Sequence, residues 1–144
     1  MATLLLIHGP NLNLLGKREE KHYGSKTLAD LEALVLAEAK NVGLELKAFQ
    51  SNHEGALIDW IQKESPRAAG IIINPGALTH YSYALHDALL DTKLPAVEVH
   101  LSDVGTREEW RRNSVTAPAC IAVIAGKKEG GYAEAVTLLK ERLQ

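Results

Sequence analysis

The chain has 144 residues, 46% of them hydrophobic and 24% charged, which fits one globular domain with a sizeable core. Its formal net charge of −2 argues against binding to nucleic acid or anionic membranes, and the cluster of Arg107, Arg111 and Arg112 is too small and too local to change that. The single cysteine, Cys120, excludes an internal disulfide. The sequence shows no signal peptide and no apolar run long enough to span a bilayer, so we expect a cytoplasmic protein.

An apolar run at residues 4–7 predicts the first strand. The run is short, continuous and bounded by turn residues, which is typical of a strand buried on both faces. A long polar loop follows at residues 9–24, and such loops in compact domains are binding loops, lids or disordered segments. Asn11 lies just past the strand end, where it can contact a ligand, while Arg18 and Tyr23 suit a closing lid. A solvated linker without a role is the alternative interpretation.

The rest of the chain alternates helix and strand patterns without a linker or an internal repeat. Thr27, with Asp30 three residues later, predicts the capped start of a helix. The alternation of apolar and polar residues at 44–49 predicts a half-exposed strand near a sheet edge. Thr106 and Glu109 form a second capping pair, which predicts a short helix through residue 112. The remaining predicted strands are residues 69–73, 96–99 and 120–125, and the remaining predicted helices are residues 54–66, 81–91 and 132–143.

This alternation predicts a parallel sheet with helices on both faces. Five strands of this length favour the flavodoxin-like order 2-1-3-4-5, within a single domain over residues 1–144. Strands one and three then become neighbours, and ligands bind such sheets beyond the carboxyl ends of the strands at this point. Polar residues follow the ends of strands one, three and four: Asn11, Asn13, Asn74, His80, Glu98, His100 and Ser102. We therefore expect the functional site at this edge.

The chemistry of these side chains favours acid–base catalysis. His100 closes a buried strand beside Glu98, and although a lone histidine there is more often structural, the convergence of three polar strand ends favours a site. No glycine-rich phosphate loop follows the first strand, and the acidic residues of a receiver domain are missing. His80 and His86 do not have the spacing of metal ligands. A buried imine-forming lysine has no obvious candidate, although Lys17 remains open.

Five collinear motifs resemble those of one known family. They read IHGPNLNLLGKRE with HYG, QSNHEG, INPGALTH, VEVHLS and TREEWRRNS. In order and spacing they are similar to the motifs of type II 3-dehydroquinase, the 3-dehydroquinate dehydratase of shikimate-type metabolism. The resemblance covers nearly the whole chain. It implies a flavodoxin-like subunit that converts 3-dehydroquinate to 3-dehydroshikimate by loss of water, in aromatic amino acid biosynthesis or in quinate breakdown.

The resemblance also implies catalytic roles for individual residues. Tyr23, as a tyrosinate, takes a proton from the carbon next to the ketone, and Arg18 supplies positive charge beside it. Asn11 orients a water molecule that stabilises the resulting enolate. His100, aligned by Glu98, protonates the departing hydroxyl group. The reaction implied by the family requires neither a cofactor nor a metal ion.

Further positions match the substrate-binding residues of that family. Asn74 and Ser102, together with the backbone at Leu101, match its carboxylate pocket. His80 and Arg111 match the positions that bind the substrate's hydroxyl groups. The resemblance therefore implies that the carboxylate and the hydroxyl groups of the small-molecule substrate are held by separate sets of residues.

One matching position concerns assembly. Asp87 corresponds to an acidic residue that reaches the site of a neighbouring subunit, so the resemblance implies a homo-oligomer, a dodecamer built as a tetramer of trimers.

Three departures from the family pattern flank the implied pocket. Gly105 stands where many members have histidine, Asp103 takes the place of an asparagine, and Tyr81 stands where a threonine is usual.

A non-catalytic hydroxy-acid sensor on the same fold is the alternative function. Such a protein would keep the binding residues His80, Asn74 and Arg111 while dispensing with the base and the acid. The chain has both Tyr23 and His100, and this combination favours the enzyme over the sensor.

Overall fold

The computed structural model describes residues 1–144 and contains one five-stranded parallel sheet. The strand order is β2-β1-β3-β4-β5, so β1 and β3 are neighbours and β2 is an edge strand. The strands are β1 Thr3–His8, β2 Glu45–Gln50, β3 Gly70–Asn74, β4 Ala96–His100 and β5 Ala122–Ala125. The predicted fold class, strand order and edge position of the second strand are confirmed.

Helices cover both faces of this sheet. They are α1 Glu20–Tyr23, α2 Leu28–Asn41, α3 Glu54–Glu64, α4 Tyr83–Thr92 and α5 Gly130–Arg142. Helices α2 and α5 pack with the sheet around one apolar cluster, and α3 and α4 pack around the other. No helix is both long enough and apolar enough to cross a membrane.

The central strand β1 explains why its sequence is continuously apolar. Leu4 and Leu6 lie in the cluster beneath α2 and α5, whereas Leu5 and Ile7 lie in the cluster beneath α3 and α4. All four side chains are buried, because successive residues of a strand point to opposite faces of the sheet. Burying an aliphatic side chain of this size stabilises the fold by about 1.5–3 kcal/mol. The strand thus fixes the position of the loop that follows it.

Local signals fix the starts of two helices. The predicted capping box of α2 is present: the Asp30 backbone N–H donates to Thr27 Oγ1 at 3.1 Å, and the Thr27 N–H donates to Asp30 Oδ2 at 3.0 Å. Helix α4 begins at Tyr83, two residues later than predicted, because residues 76–80 form a 3₁₀ helix. The side chain of Ser82 then caps α4 by accepting the Leu85 N–H at 3.0 Å.

The predicted cap at Thr106 is wrong, although a short helix does end at Arg112 as predicted. This segment contains two separate 3₁₀ helices, Val104–Thr106 and Glu109–Arg112, and Thr106 caps neither of them. Its hydroxyl instead donates to the Asp103 carbonyl oxygen at 2.9 Å, because a side chain of this type competes locally for backbone groups. The segment runs along the rim of the polar cavity described next.

Candidate active site

A cavity of about 130 Å³ lies beyond the carboxyl ends of β1, β3 and β4, at the edge predicted from the sequence. The loop between β1 and α2 closes one side, and the segment after β4 closes another. The lining residues are mostly polar: Pro10, Asn11, Leu12, Arg18, Tyr23, Asn74, Gly76, Ala77, His80, His100, Leu101, Ser102, Val104, Arg107 and Arg111.

The turn after β1 brings Asn11 to the cavity through tight backbone packing. A Cβ atom at Gly9 would lie 2.2 Å from the Pro75 carbonyl oxygen, so only glycine allows the two loops to approach this closely. Asn11 has a φ of 72°, in the left-handed region. Its backbone N–H donates to Asn52 Oδ1 at 2.9 Å, and Gln50 Nε2 donates to the same oxygen at 3.2 Å. The loop after β2 therefore holds the strained turn in place.

Two guanidinium groups contact the phenol oxygen of Tyr23. Arg18 Nη2 and Arg107 Nη1 each donate to this oxygen at 2.8 Å. The guanidinium carbon of Arg18 also lies 3.7 Å from the centre of the Tyr23 ring. Arg107 Nη1 reaches Ser102 Oγ as well, at 3.2 Å. Paired cationic donors stabilise negative charge on an oxygen, so this arrangement suits a phenolate.

His100 and Glu98 form a buried pair on β4. His100 Nε2 lies 2.8 Å from Glu98 Oε2, and the Glu98 side chain is fully buried. Burial raises the pKa of Glu98, but the hydrogen bond and charge of His100, together with the hydroxyls of Thr116 and Ser114, outweigh burial and leave the pKa below its usual value. Because Glu98 is ionised, Nε2 of His100 carries the proton that it donates to the carboxylate.

The end of β3 contributes an amide that is fixed on both sides. Asn74 Oδ1 accepts the Gly76 N–H at 3.0 Å, and Asn74 Nδ2 donates to the Tyr132 hydroxyl at 3.4 Å. Tyr132 is fully buried, and burial raises the pKa of its phenol, so it stays neutral. The rotamer of Asn74 is therefore set by the protein before any ligand binds.

His80 and Arg111 approach the cavity around one aromatic ring. His80 Nδ1 lies 2.6 Å from the Asn113 carbonyl oxygen, and its ring meets Trp110 edge-on at a centroid distance of 5.1 Å. The guanidinium of Arg111 lies 4.0 Å from the Trp110 ring centre, and Arg111 Nε donates to Glu108 Oε2 at 3.0 Å. These contacts leave the Nε2 atom of His80 free for a ligand.

Comparison with known proteins identifies the family of this chain. The sequence model of the family "Dehydroquinase class II" matches residues 2–140. The chain belongs to this family. The 3-dehydroquinate dehydratase of Bacillus cereus (strain G9842) is 51% identical over 144 residues, which cover 100% of this chain and 99% of that protein.

Solved structures of type II dehydroquinases are similar to nearly the whole chain. The type II dehydroquinase of Butyrivibrio crossotus DSM 2876 superposes with a TM-score of 0.93 at 45% identity, covering 96% of this chain and 97% of the other. The type II dehydroquinase of Propionibacterium acnes also has a TM-score of 0.93, at 35% identity, covering 98% and 97%. The dehydroquinase fold is therefore shared over nearly the whole chain.

Within this dehydroquinase fold, nine of the eleven site residues predicted from the sequence line the cavity: Asn11, Arg18, Tyr23, Asn74, His80, His100, Leu101, Ser102 and Arg111. Glu98 does not line it and contacts His100 from behind. Asp87 lies on the surface of α4 with its side chain 73% exposed, 3.0 Å from His86 Nδ1. Asp87 therefore does not belong to this chain's own cavity.

Arg107 is the site residue that the sequence interpretation missed. It entered only as part of a small basic cluster, whereas the structure places its guanidinium between Tyr23 and Ser102. Its spacing of four residues from Arg111 and its place shortly after β4 were the available signals. Lys17 does not line the cavity, and no group of three or more histidine, cysteine or acidic side chains is arranged to hold a metal ion.

Proposed function

We propose that this chain is a cytoplasmic hydro-lyase that dehydrates 3-dehydroquinate to 3-dehydroshikimate through an enolate. Membership of the class II dehydroquinase family and the activity for which its relatives are named support the reaction. The observation that carries the mechanism is the position of the Tyr23 oxygen between two guanidinium groups, in the same cavity as His100.

The two proton transfers divide between these two residues. The phenolate of Tyr23 removes a proton from the carbon next to the ketone, and the C–H electron pair passes into the enolate. Asn11 orients a water molecule that hydrogen-bonds the enolate oxygen. The enolate then re-forms the ketone, a carbon–carbon double bond forms, and the C–O bond of the neighbouring hydroxyl breaks. His100 gives that leaving group a proton, so one water molecule is released.

The polar ends of β3 and β4 hold the substrate. The amide of Asn74 is held in one orientation, and Ser102 and Leu101 line the same cavity, which suits binding of the substrate carboxylate. His80 and Arg111 also line the cavity, and their remaining donors suit binding of the hydroxyl groups. The chemistry that these residues supply is proton transfer and charge stabilisation, which requires no bound metal or cofactor.

Assembly forms the second part of the proposal. The family resemblance assigns Asp87 to a neighbouring subunit's site, and its exposed position on α4 is compatible with that role. We infer a homo-oligomer, a dodecamer arranged as a tetramer of trimers, in which Asp87 completes an adjacent cavity. A single domain over residues 1–144 would then be the repeating unit.

A direct assay tests the activity. The purified protein is mixed with 3-dehydroquinate, and the conjugated enone of the product is followed by its ultraviolet absorbance. We expect turnover that survives a chelator and that borohydride does not trap as an adduct on Lys17. Saturable binding of 3-dehydroquinate without any enone would instead identify a hydroxy-acid sensor. Loss of turnover with the chelator would contradict the metal-free mechanism.

A further inference from the structure

Three hydroxyl groups surround the buried carboxylate of Glu98. Thr79 Oγ1 and Ser114 Oγ each donate to Glu98 Oε2 at 2.9 Å, and Thr116 Oγ1 donates to Glu98 Oε1. We propose that Thr79, Ser114 and Thr116, here named the hydroxyl cradle, are positioning residues that keep Glu98 ionised, so that His100 is held as the acid of the reaction. The inference rests on the proposed function for the role of His100.

The cradle is a dense network of donors. Thr79 Oγ1 lies 2.7 Å from Ser114 Oγ and 2.8 Å from Thr116 Oγ1, and the latter two are 3.2 Å apart. With His100 Nε2, the carboxylate is faced by one N–H and three O–H groups. A protonated carboxyl group would use one of these hydroxyls as an acceptor and so lose the hydrogen bond that this hydroxyl donates, and the network therefore favours the ionised form.

His100 is the one charged partner of Glu98, and the hydroxyls supply the rest of the stabilisation of the carboxylate. Glu98 is fully buried, and the only cationic group that contacts it is His100, when protonated, on the same strand. The other titratable group facing it is Cys120, from the segment before β5. Burial and the charge of Glu98 raise the pKa of that thiol to about 12, so it stays neutral. The hydroxyl dipoles therefore add to the hydrogen bond and charge of His100 in stabilising the anion, and they do so whether or not His100 is protonated.

The cradle also connects two separate parts of the site. Thr79 belongs to the 3₁₀ helix that ends at His80, while Ser114 and Thr116 belong to the segment before β5. The Val115 N–H donates to the Thr79 carbonyl oxygen at 2.7 Å, which pins the two segments together. Asn113, the residue before Ser114, is the one whose carbonyl oxygen contacts His80. One short segment therefore positions both cavity histidines, one directly and one through Glu98.

The test is the pH dependence of turnover in Thr116→Val, which preserves side-chain shape and removes the hydroxyl. Protonation of Glu98 takes away the acceptor that holds His100, so activity should fall on acidification. Loss of one donor raises the pKa of Glu98, so this acidic limb should move to higher pH by about one unit. Thr116→Ser retains the hydroxyl and should restore the original limb. Thr92→Val, which removes a hydroxyl that bonds only backbone groups at and just after the end of α4, is the matched control and should not move it.

A second measurement keeps the cradle testable apart from activity. The carboxyl carbon of Glu98, labelled with ¹³C and assigned by its absence in Glu98→Gln, reports ionisation directly by NMR titration. It should titrate at higher pH in Thr116→Val, and in Ser114→Ala if the former variant does not fold. An unmoved Glu98 titration in a folded variant, with only kcat or stability reduced, would overturn the proposal. If the wild-type protein is inactive on 3-dehydroquinate but Thr116→Val still moves the Glu98 titration to higher pH, the proposed function is refuted and the role of the cradle in keeping Glu98 ionised is supported.

Discussion

At the scale of single residues, the phenol oxygen of Tyr23 accepts hydrogen bonds from two guanidinium groups. Its two donors come from different parts of the chain: Arg18 is five residues away, and Arg107 is 84 residues away. Arg18 also stacks on the ring, whereas Arg107 is anchored by Ser102. Removing either guanidinium should therefore weaken the base through a different mechanism.

Arg107→Leu should lower kcat by about 10- to 100-fold, because a hydrogen bond to a charged group contributes about 1.5–3 kcal/mol. Arg107→Lys keeps the charge but has only one nitrogen to divide between Tyr23 and Ser102, so it should recover part of the loss. Steady-state kinetics with 3-dehydroquinate measure both effects. A variant Arg107→Leu with wild-type kcat would show that Arg18 alone supports the base.

Tyr23→Phe and His100→Ala should separate the two proton transfers. Without the phenolate, both dehydration and exchange of the substrate's abstracted proton with deuterated water should collapse. Without the imidazole the base survives, so dehydration should fall by about 100-fold or more while some exchange persists, provided that the enolate is reprotonated faster than it eliminates. Mass spectrometry of recovered substrate measures the exchange.

The opposite pattern would reverse the assignment. Retained exchange in Tyr23→Phe together with its loss in His100→Ala would make the imidazole the base. If neither variant exchanges without eliminating, the elimination is concerted and there is no enolate that lives long enough to return its proton.

The residues that sequence patterns identified are those at the ends of strands. Asn74 and His100 are the last residues of β3 and β4, so a correct strand assignment places them at the site. Arg107 was missed because its position depends on how the irregular segment after β4 folds back over Tyr23. The hydroxyl cradle was missed for the same reason, since Ser114 and Thr116 reach Glu98 only through tertiary packing.

At the scale of elements, the loop after β2 supports the turn after β1. Asn52 accepts the N–H of Asn11, whose left-handed backbone costs about 1 kcal/mol or more in a residue other than glycine. Gln50 adds a hydrogen bond to the Gly9 carbonyl oxygen at 3.2 Å. The QSN motif thus acts on the site through the backbone of a neighbouring loop rather than by contact with the cavity.

Asn52→Ala should lower kcat by about 10-fold or less and the free energy of unfolding by about 1 kcal/mol, because one hydrogen bond to a strained turn is lost. Asn52→Asp retains an oxygen in the same place and should keep most of the activity. Turnover and urea denaturation of the two variants provide the comparison. Equal losses in Ala and Asp variants would show that the acceptor is not what supports Asn11.

Capping side chains fixed the start of one predicted helix and failed to do so at another. The capping box at Thr27 and Asp30 fixed the start of α2, as the sequence predicts. The similar pattern at Thr106 and Glu109 failed, because that segment is held by contacts of Arg107 and Arg111 with the cavity and its rim. A capping signal is therefore reliable where a long amphipathic helix follows, and weak in a segment shaped by a site.

At the scale of the whole molecule, α4 exposes an apolar face next to Asp87. Tyr83 and Leu90 are 70% and 55% exposed, and positions 83, 87 and 90 share one side of a helix. On the edge strand β5, Val123 is 47% exposed. Apolar exposure of this kind on a helix that carries an inferred cross-subunit residue favours burial against another copy.

Leu90→Asp should therefore dissociate the oligomer and lower turnover, since each cavity would lose the neighbouring Asp87. Leu143→Asp, at an exposed leucine beyond α5, is the matched control and should leave both unchanged. Size-exclusion chromatography with light scattering, followed by assay of each fraction, measures the two properties together. A monomer with full turnover would remove Asp87 from the mechanism.

The contact between Tyr23 and Arg107 joins a residue of the loop that closes the cavity to a residue of the cavity wall. If that loop moves away from the cavity, Tyr23 moves with it. The open cavity then contains the proposed acid, His100, but not the proposed base. Admission of substrate and removal of its proton then cannot happen at the same moment. Proton transfer would begin only after the loop has closed over the substrate, and loop closure would precede the chemical step in every turnover.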